Sequence, residues 1–214
     1  MVQKGVDIKT KDGSGRTALH LSVENGHKMV VQLLLEKGAY VDAKDNSGNA
    51  ALHHVMGCDL RSEEELLTKE KSRESLEEMA LLLIKNGANM EIKDKHGCTP
   101  LHSAALSRGK PMVELLVENG AYVNAKDNYG QTALHHVVRY HYQKPEGWAI
   151  AGRIESTKSL EKMAQLLIEN GASVEIKDKH GITPLEWARA NSIAMAKLLD
   201  EYKETAPVYG MGSP

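Results

Sequence analysis

Histidine and cysteine raise the first question about this sequence. Ten histidines occur in 214 residues, four of them in the adjacent pairs His53-His54 and His135-His136, and the second pair opens the run "HHVVRYH" that ends at His141. Cys58 and Cys98 add two thiols. Imidazole and thiolate together bind zinc, and a cysteine beside a histidine pairs a nucleophile with a base. The local spacing argues against both. Neighbouring side chains on a helix diverge by about 100°, and residues 133–142, "ALHHVVRYHY", contain no cysteine or carboxylate to close a ligand set. There is no Gly-rich phosphate loop, no His-Glu-x-x-His word and no nucleophile elbow. The sequence therefore predicts no catalytic residue, no metal site and no cofactor, which leaves recognition as the chemistry to explain.

The elements that position these residues recur. A Thr/Ala-x-Leu-His/Glu word begins at Thr17, Ala50, Thr99, Thr132 and Thr183, at intervals of 33, 49, 33 and 51 residues. A plain period of 33 thus carries two insertions of 16 and 18 residues. A second word, Gly-Ala, falls at Gly38, Gly87, Gly120 and Gly171, each followed by a short extended stretch and Lys-Asp. Each word has a mechanical reason. Threonine caps a helix N-terminus, and proline in the next position (Pro100, Pro184) loses nothing because its N–H would be unpaired there. Apolar residues at helical spacing in "MVVQLLLEKG" and "MALLLIKNG" predict a second helix, which glycine ends in a left-handed conformation. The "DNSG", "DKHG" and "DNYG" segments have the Asp/Asn and Gly of a β-turn.

A 33-residue unit of turn, helix and helix with a Thr-Pro-Leu-His word resembles the ankyrin repeat. The resemblance runs from Lys4 to about Tyr202 and implies an all-α solenoid of about five repeats. The expected layout is a partial finger at 4–12, repeats at 13–45, 46–94, 95–127 and 128–178, a C-terminal capping repeat at 179–204 and a flexible tail at 205–214. The unit that recurs is a pair of repeats, one plain and one with an insertion: "EIKDKHGCTPLH" from Glu91 returns as "EIKDKHGITPLE" from Glu175. The changed last letter falls in the terminal repeat, where no further unit follows. The opening "KGVDIKTKD" is a finger without the helices that should precede it; the chain reads as a fragment of a longer array, the alternative being a tolerated partial repeat.

The resemblance also implies a binding surface. In the family, the residue after the Thr-Pro-Leu-His word and the finger tip face the partner along the concave side. The positions after the word are Leu21, His54, Ser103, His136 and Trp187, and the tips include His96, Tyr129 and His180. These are amphipathic and carry little net charge, which suits a protein or peptide ligand. The word histidines His20, His53, His102 and His135 are expected to order the fingers. Asn124, in "LLVENGAYVNAKD", resembles the asparagines hydroxylated in some ankyrin repeats.

The insertions, 59–74 and 139–158, lie between the two helices of the second and fourth repeats and form a possible second contact edge. The first has a Ser62/Glu65 capping box and the charged residues of a solvated helical extension. The second holds Tyr140, Tyr142 and Trp148, a third of the chain's nine aromatic residues; Trp148 is therefore a candidate contact.

Composition excludes other classes. A net charge of −2 gives no basic excess for nucleic acid. The longest apolar run, "MALLLI", is far short of the roughly 20 residues needed to span a bilayer, and two cysteines suit a reducing compartment. The chain is expected to be a cytoplasmic monomer that binds another protein without catalysis. The rival readings are a regulatory segment of a larger enzyme or channel, or a host-directed effector of an intracellular bacterium.

Overall fold

The computed structural model describes residues 7–57, 70–107, 109–142 and 150–205. Ten helices occur among them: α1 (Ala18–Glu24), α2 (Lys28–Glu36), α3 (Ala51–Gly57), α4 (Glu70–Lys85), α5 (Pro100–Leu106), α6 (Lys110–Glu118), α7 (Ala133–Tyr142), α8 (Ile150–Glu169), α9 (Pro184–Asn191) and α10 (Ile193–Thr205). They pack as five successive pairs. The first helices α1, α3, α5, α7 and α9 form one layer in which each touches the next, and α2, α4, α6, α8 and α10 form a second. The described residues contain no strand beyond one isolated antiparallel bridge, Lys11 to Thr17. No described helix is long and apolar enough to cross a membrane.

Each pair begins where the sequence predicts. Thr17, Thr99 and Thr183 sit at N-caps with extended backbone, and Pro100 and Pro184 occupy the first helical turn. Second helices end at glycine for a conformational reason: Gly87 has φ of +84°, its N–H donates to the Ile84 carbonyl at 2.9 Å, and Ala88 donates to Leu83 at 3.0 Å. A non-glycine residue would be strained in that left-handed region. The plain second helices α2 and α6 have 9 residues, whereas α4 has 16 and α8 has 20. The extra turns of α4 and α8 occupy part of the inserted segments. Residues 58–69 and 143–149, with Cys58 and Trp148, lie outside the described residues.

The fingers are built on one carboxylate each. Asp45 Oδ1 accepts from the N–H groups of Ser47 (2.8 Å) and Asn49 (2.9 Å), and Asp94, Asp127 and Asp178 repeat the arrangement. Successive fingers are then stitched by backbone hydrogen bonds: Asn46 to Ser14, Lys95 to Ser47, Asn128 to His96 and Lys179 to Tyr129, at 2.8–3.0 Å. The approach is close. A Cβ on Gly48 would stand 2.8 Å from the Lys95 nitrogen, and Gly48 also has φ of +82°. A lysine ladder runs beside the fingers, with Lys11, Lys44, Lys93 and Lys126 donating to the carbonyls of Lys44, Lys93, Lys126 and Lys177.

One continuous core joins the layers. The leucines of the repeated word, Leu19, Leu52, Leu101, Leu134 and Leu185, are all buried, and so are Leu83, Leu116 and Leu167 on the second helices. Burial of such a side chain contributes about 1.5–3 kcal/mol. The N-terminal flank is different. Val30 stands where later pairs carry the buried Met79, Met112 and Met163, yet it is 44% exposed, beside Met29 at 74% and Leu33 at 52%. No helix pair precedes α1 and α2 among the described residues.

Candidate functional site

The word histidines are the joints of the array. The Thr99 N–H donates to His102 Nδ1 at 3.1 Å, and His102 Nε2 meets the Gln131 carbonyl at 3.1 Å. A backbone N–H can only donate, so Nδ1 is the unprotonated nitrogen and Nε2–H donates onward, which fixes a neutral tautomer. His20, His53 and His135 make the same pair of bonds, reaching the carbonyls of Asn49, Cys98 and Ile182. Burial lowers the pKa of all four, and His102 falls to about 4. In the last described repeat Glu186 stands in place of histidine and closes a capping box within its own turn: Thr183 N to Glu186 Oε2 at 2.8 Å, and Glu186 N to Thr183 Oγ1 at 3.1 Å.

The neighbouring histidines, His54 and His136, carry the chemistry. In the first pair of repeats His54 bridges two carboxylates: Nε2 to Asp45 Oδ2 and Nδ1 to Glu24 Oε1, each 3.0 Å. Glu24 also holds Arg16 at 2.9 Å, and Arg16 holds Asp12 at 2.9 Å. An acid-base chain, Asp12–Arg16–Glu24–His54–Asp45, thus runs across the face made by fingers and first helices. In the second pair of repeats His136 Nε2 meets Asp127 Oδ2 at 3.0 Å, but Leu106 stands in place of Glu24 and Cys98 in place of Arg16. Candidate ligand atoms of Cys98, Asp127 and His136 lie within 4.8 Å of one another. Reading residues 133–142 alone missed this cluster, because its thiol and carboxylate come from two different fingers. The signal was present only as positions relative to the word: Cys98 stands one residue before Thr99, and Asp127 five residues before Thr132. Burial tends to raise the pKa of Asp127, but hydrogen bonds from His136 and from the Gln131 and Tyr129 N–H groups outweigh it and hold the carboxyl below its ordinary value. Burial, with Asp94 and Asp127 nearby, pushes the Cys98 thiol up to about 12.

A cleft opens beside this cluster. Tyr129, Gln131, Arg139, Asp178, His180, Ile182 and Trp187 enclose about 560 Å³. Three candidates from the sequence, Tyr129, His180 and Trp187, therefore meet at one place. Tyr129 is 57% exposed, His180 is exposed, and Trp187 packs partly against the core. Leu21 lines a separate cleft of about 450 Å³ at the other end, with Ile8, Arg16 and Leu34 among its neighbours. His96 is exposed and Ser103 half-buried between the two ends. Arg139 was not singled out as a contact by the sequence pattern; its place beside the finger becomes visible only once finger and helix are superposed. Asn124 is committed at both ends of its amide, donating to the Gly171 carbonyl at 2.8 Å and accepting from Ser173 N at 2.9 Å.

Paired short helices, stacked in two layers and joined finger to finger through buried histidines, define a solenoid repeat protein. The family model described as ankyrin repeats (3 copies) matches residues 1–70 and 66–144, and the single ankyrin repeat matches residues 129–179. The chain belongs to the ankyrin-repeat family, whose members are generally non-catalytic protein–protein interaction modules. An ankyrin repeat domain from Acinetobacter baumannii AYE has a similar solved structure, with a TM-score of 0.71 and 24% identity over 92% of this chain and 86% of that one. At that identity the likeness is one of fold. No curated protein gives a significant match.

Proposed function

We propose that this chain binds a protein or peptide partner on the concave side formed by its fingers and first helices, with the C-terminal half making the main contact. The observation behind this reading is the convergence of Tyr129, His180 and Trp187 around one cleft that also contains Arg139 and the buried carboxylate Asp178. Aromatic and arginine side chains are the residues that carry most binding energy at protein interfaces. Asp178 is already occupied by the His180 and Ile182 N–H groups, so Arg139 supplies the cleft's positive charge. The fitting partner segment presents an apolar or aromatic side chain next to an acidic one.

The test is affinity capture from a cytosolic lysate with the wild type and a Tyr129→Ala, His180→Ala double variant. Both residues are exposed, so the double variant should fold. Loss of a specific prey supports the reading. Retention of every prey moves the contact to the insertions, 59–74 and 139–158, or to the N-terminal cleft. A second reading, a regulatory segment within a larger enzyme or channel, is favoured by the apolar flank of Met29, Val30 and Leu33, which fits an intramolecular contact as well as a separate partner.

A further inference from the structure

We propose that Cys98, Asp127 and His136 form a binding site for a divalent cation of the zinc class. Their ligand atoms all lie within 4.8 Å of one another, so some point lies no more than about 2.8 Å from all three. Zinc bonds of about 2.3 Å to sulfur and 2.0–2.2 Å to nitrogen or oxygen need only a small inward movement of these side chains.

The ligands are held by the array itself. Asp127 Oδ1 is fixed by the N–H groups of Tyr129 and Gln131, leaving Oδ2 facing His136. The His136 ring stands edge to face against His102, with centroids 5.6 Å apart. Cys98 is pinned on both sides, its N–H donating to Asp94 Oδ1 at 2.8 Å and its carbonyl meeting His53 Nε2 at 3.0 Å. Outer hydrogen bonds of this kind orient metal ligands. One sulfur, one imidazole and one carboxylate select zinc or cobalt over magnesium or calcium, which demand oxygen.

Charge agrees with the geometry. Asp94 and Asp127 place negative charge near the Cys98 sulfur, and an ordinary thiol is protonated at neutral pH. Cation binding therefore forms the metal–sulfur bond as the S–H bond breaks, and the proton leaves to solvent. Thiolate and carboxylate then balance the two positive charges.

The first half of the molecule is an internal control. At the positions equivalent to Cys98, Asp127 and His136 it has Arg16, Asp45 and His54, and the guanidinium is bound to Glu24, which in turn holds His54. A cation built into the chain occupies the region where the second half offers ligands for an exchangeable one. Three protein ligands leave a fourth position for water or a partner's side chain.

The experiment is a titration of the full chain with Co²⁺, followed by displacement with Zn²⁺, in the wild type, Cys58→Ser, Cys98→Ser and His136→Gln. The expected result is 1:1 binding with a thiolate-to-cobalt charge-transfer band in the wild type and Cys58→Ser. Release of about one proton per cation should accompany it. Cys98→Ser should lose the band, and Cys98→Ser and His136→Gln should each weaken Zn²⁺ binding at least tenfold. Absence of the band in the wild type, or its persistence in Cys98→Ser, overturns the proposal. If thermal melting shows that Cys98→Ser does not fold, wild-type Zn²⁺ affinity in His136→Gln overturns it instead.

Discussion

The two halves of this molecule share one frame and differ in what they place on it. In the first, Arg16, Glu24, His54 and Asp45 form a continuous chain of side-chain contacts. In the second, the same positions hold Cys98, Leu106, His136 and Asp127: the His136–Asp127 contact remains, and a thiol and an exposed leucine take the other places. The joints are unchanged, since His20 and His102 make the same two hydrogen bonds. A duplicated two-repeat block can thus keep its finger-ordering histidines and core leucines while other positions on its fingers and first helices diverge.

Packing gives the largest test of this comparison. Leu101→Ala, in the middle of the array, should cost about 2–5 kcal/mol by denaturant unfolding, and Leu34→Ala, on the half-covered N-terminal flank, distinctly less. Equal losses would break the claim that cover by neighbouring pairs sets the stability of each repeat.

The joints come next. His102→Ala leaves a buried N–H and the Gln131 carbonyl without their partner, about 1–3 kcal/mol for each unsatisfied group. The same histidines fix the pH response. Their folded pKa values lie below the ordinary 6.5, with His102 at about 4, so the unfolded chain binds more protons between those values. Stability should be full above about 6.5 and fall progressively toward pH 4, and His102→Gln should flatten that fall in melting experiments.

Smaller effects sharpen the contrast between faces. Adding Leu106→Glu to Cys98→Arg rebuilds the first half's chain in the second, so the double variant should melt higher than the sum of the single changes allows. Tyr129→Ala should move stability by less than about 0.5 kcal/mol, since the ring is exposed. Asn124 offers a further check: its amide ties one repeat to Gly171 and Ser173 of the next, so Asn124→Ala should lower the melting temperature, and hydroxylation should require this loop to open.

Much of the frame was legible in the sequence. The Thr-Pro-Leu-His and Gly-Ala words work through local rules of capping and left-handed glycine, and those rules need no knowledge of the neighbours. The replacement of histidine by Glu186 was legible as a change of letter, and the structure adds what the carboxylate does: it closes a capping box with Thr183. The clefts and the Cys98–Asp127–His136 cluster were hidden because their members are far apart in sequence, Asp127 and His136 lying 29 and 38 residues from Cys98. The lysine ladder was hidden likewise; "AKD" reads as solvated charge until the next carbonyl is in place. Trp148, the most conspicuous aromatic in the insertions, lies outside the described residues.

The most direct test of unequal faces is photo-crosslinking. A benzophenone amino acid placed in turn at the five finger tips, Ser14, Ser47, His96, Tyr129 and His180, would report the partner at each. Adducts concentrated at 129 and 180 and absent at 14 are the predicted result. Adducts at 14 alone, or equal adducts at all five tips, would contradict a contact centred on the C-terminal half.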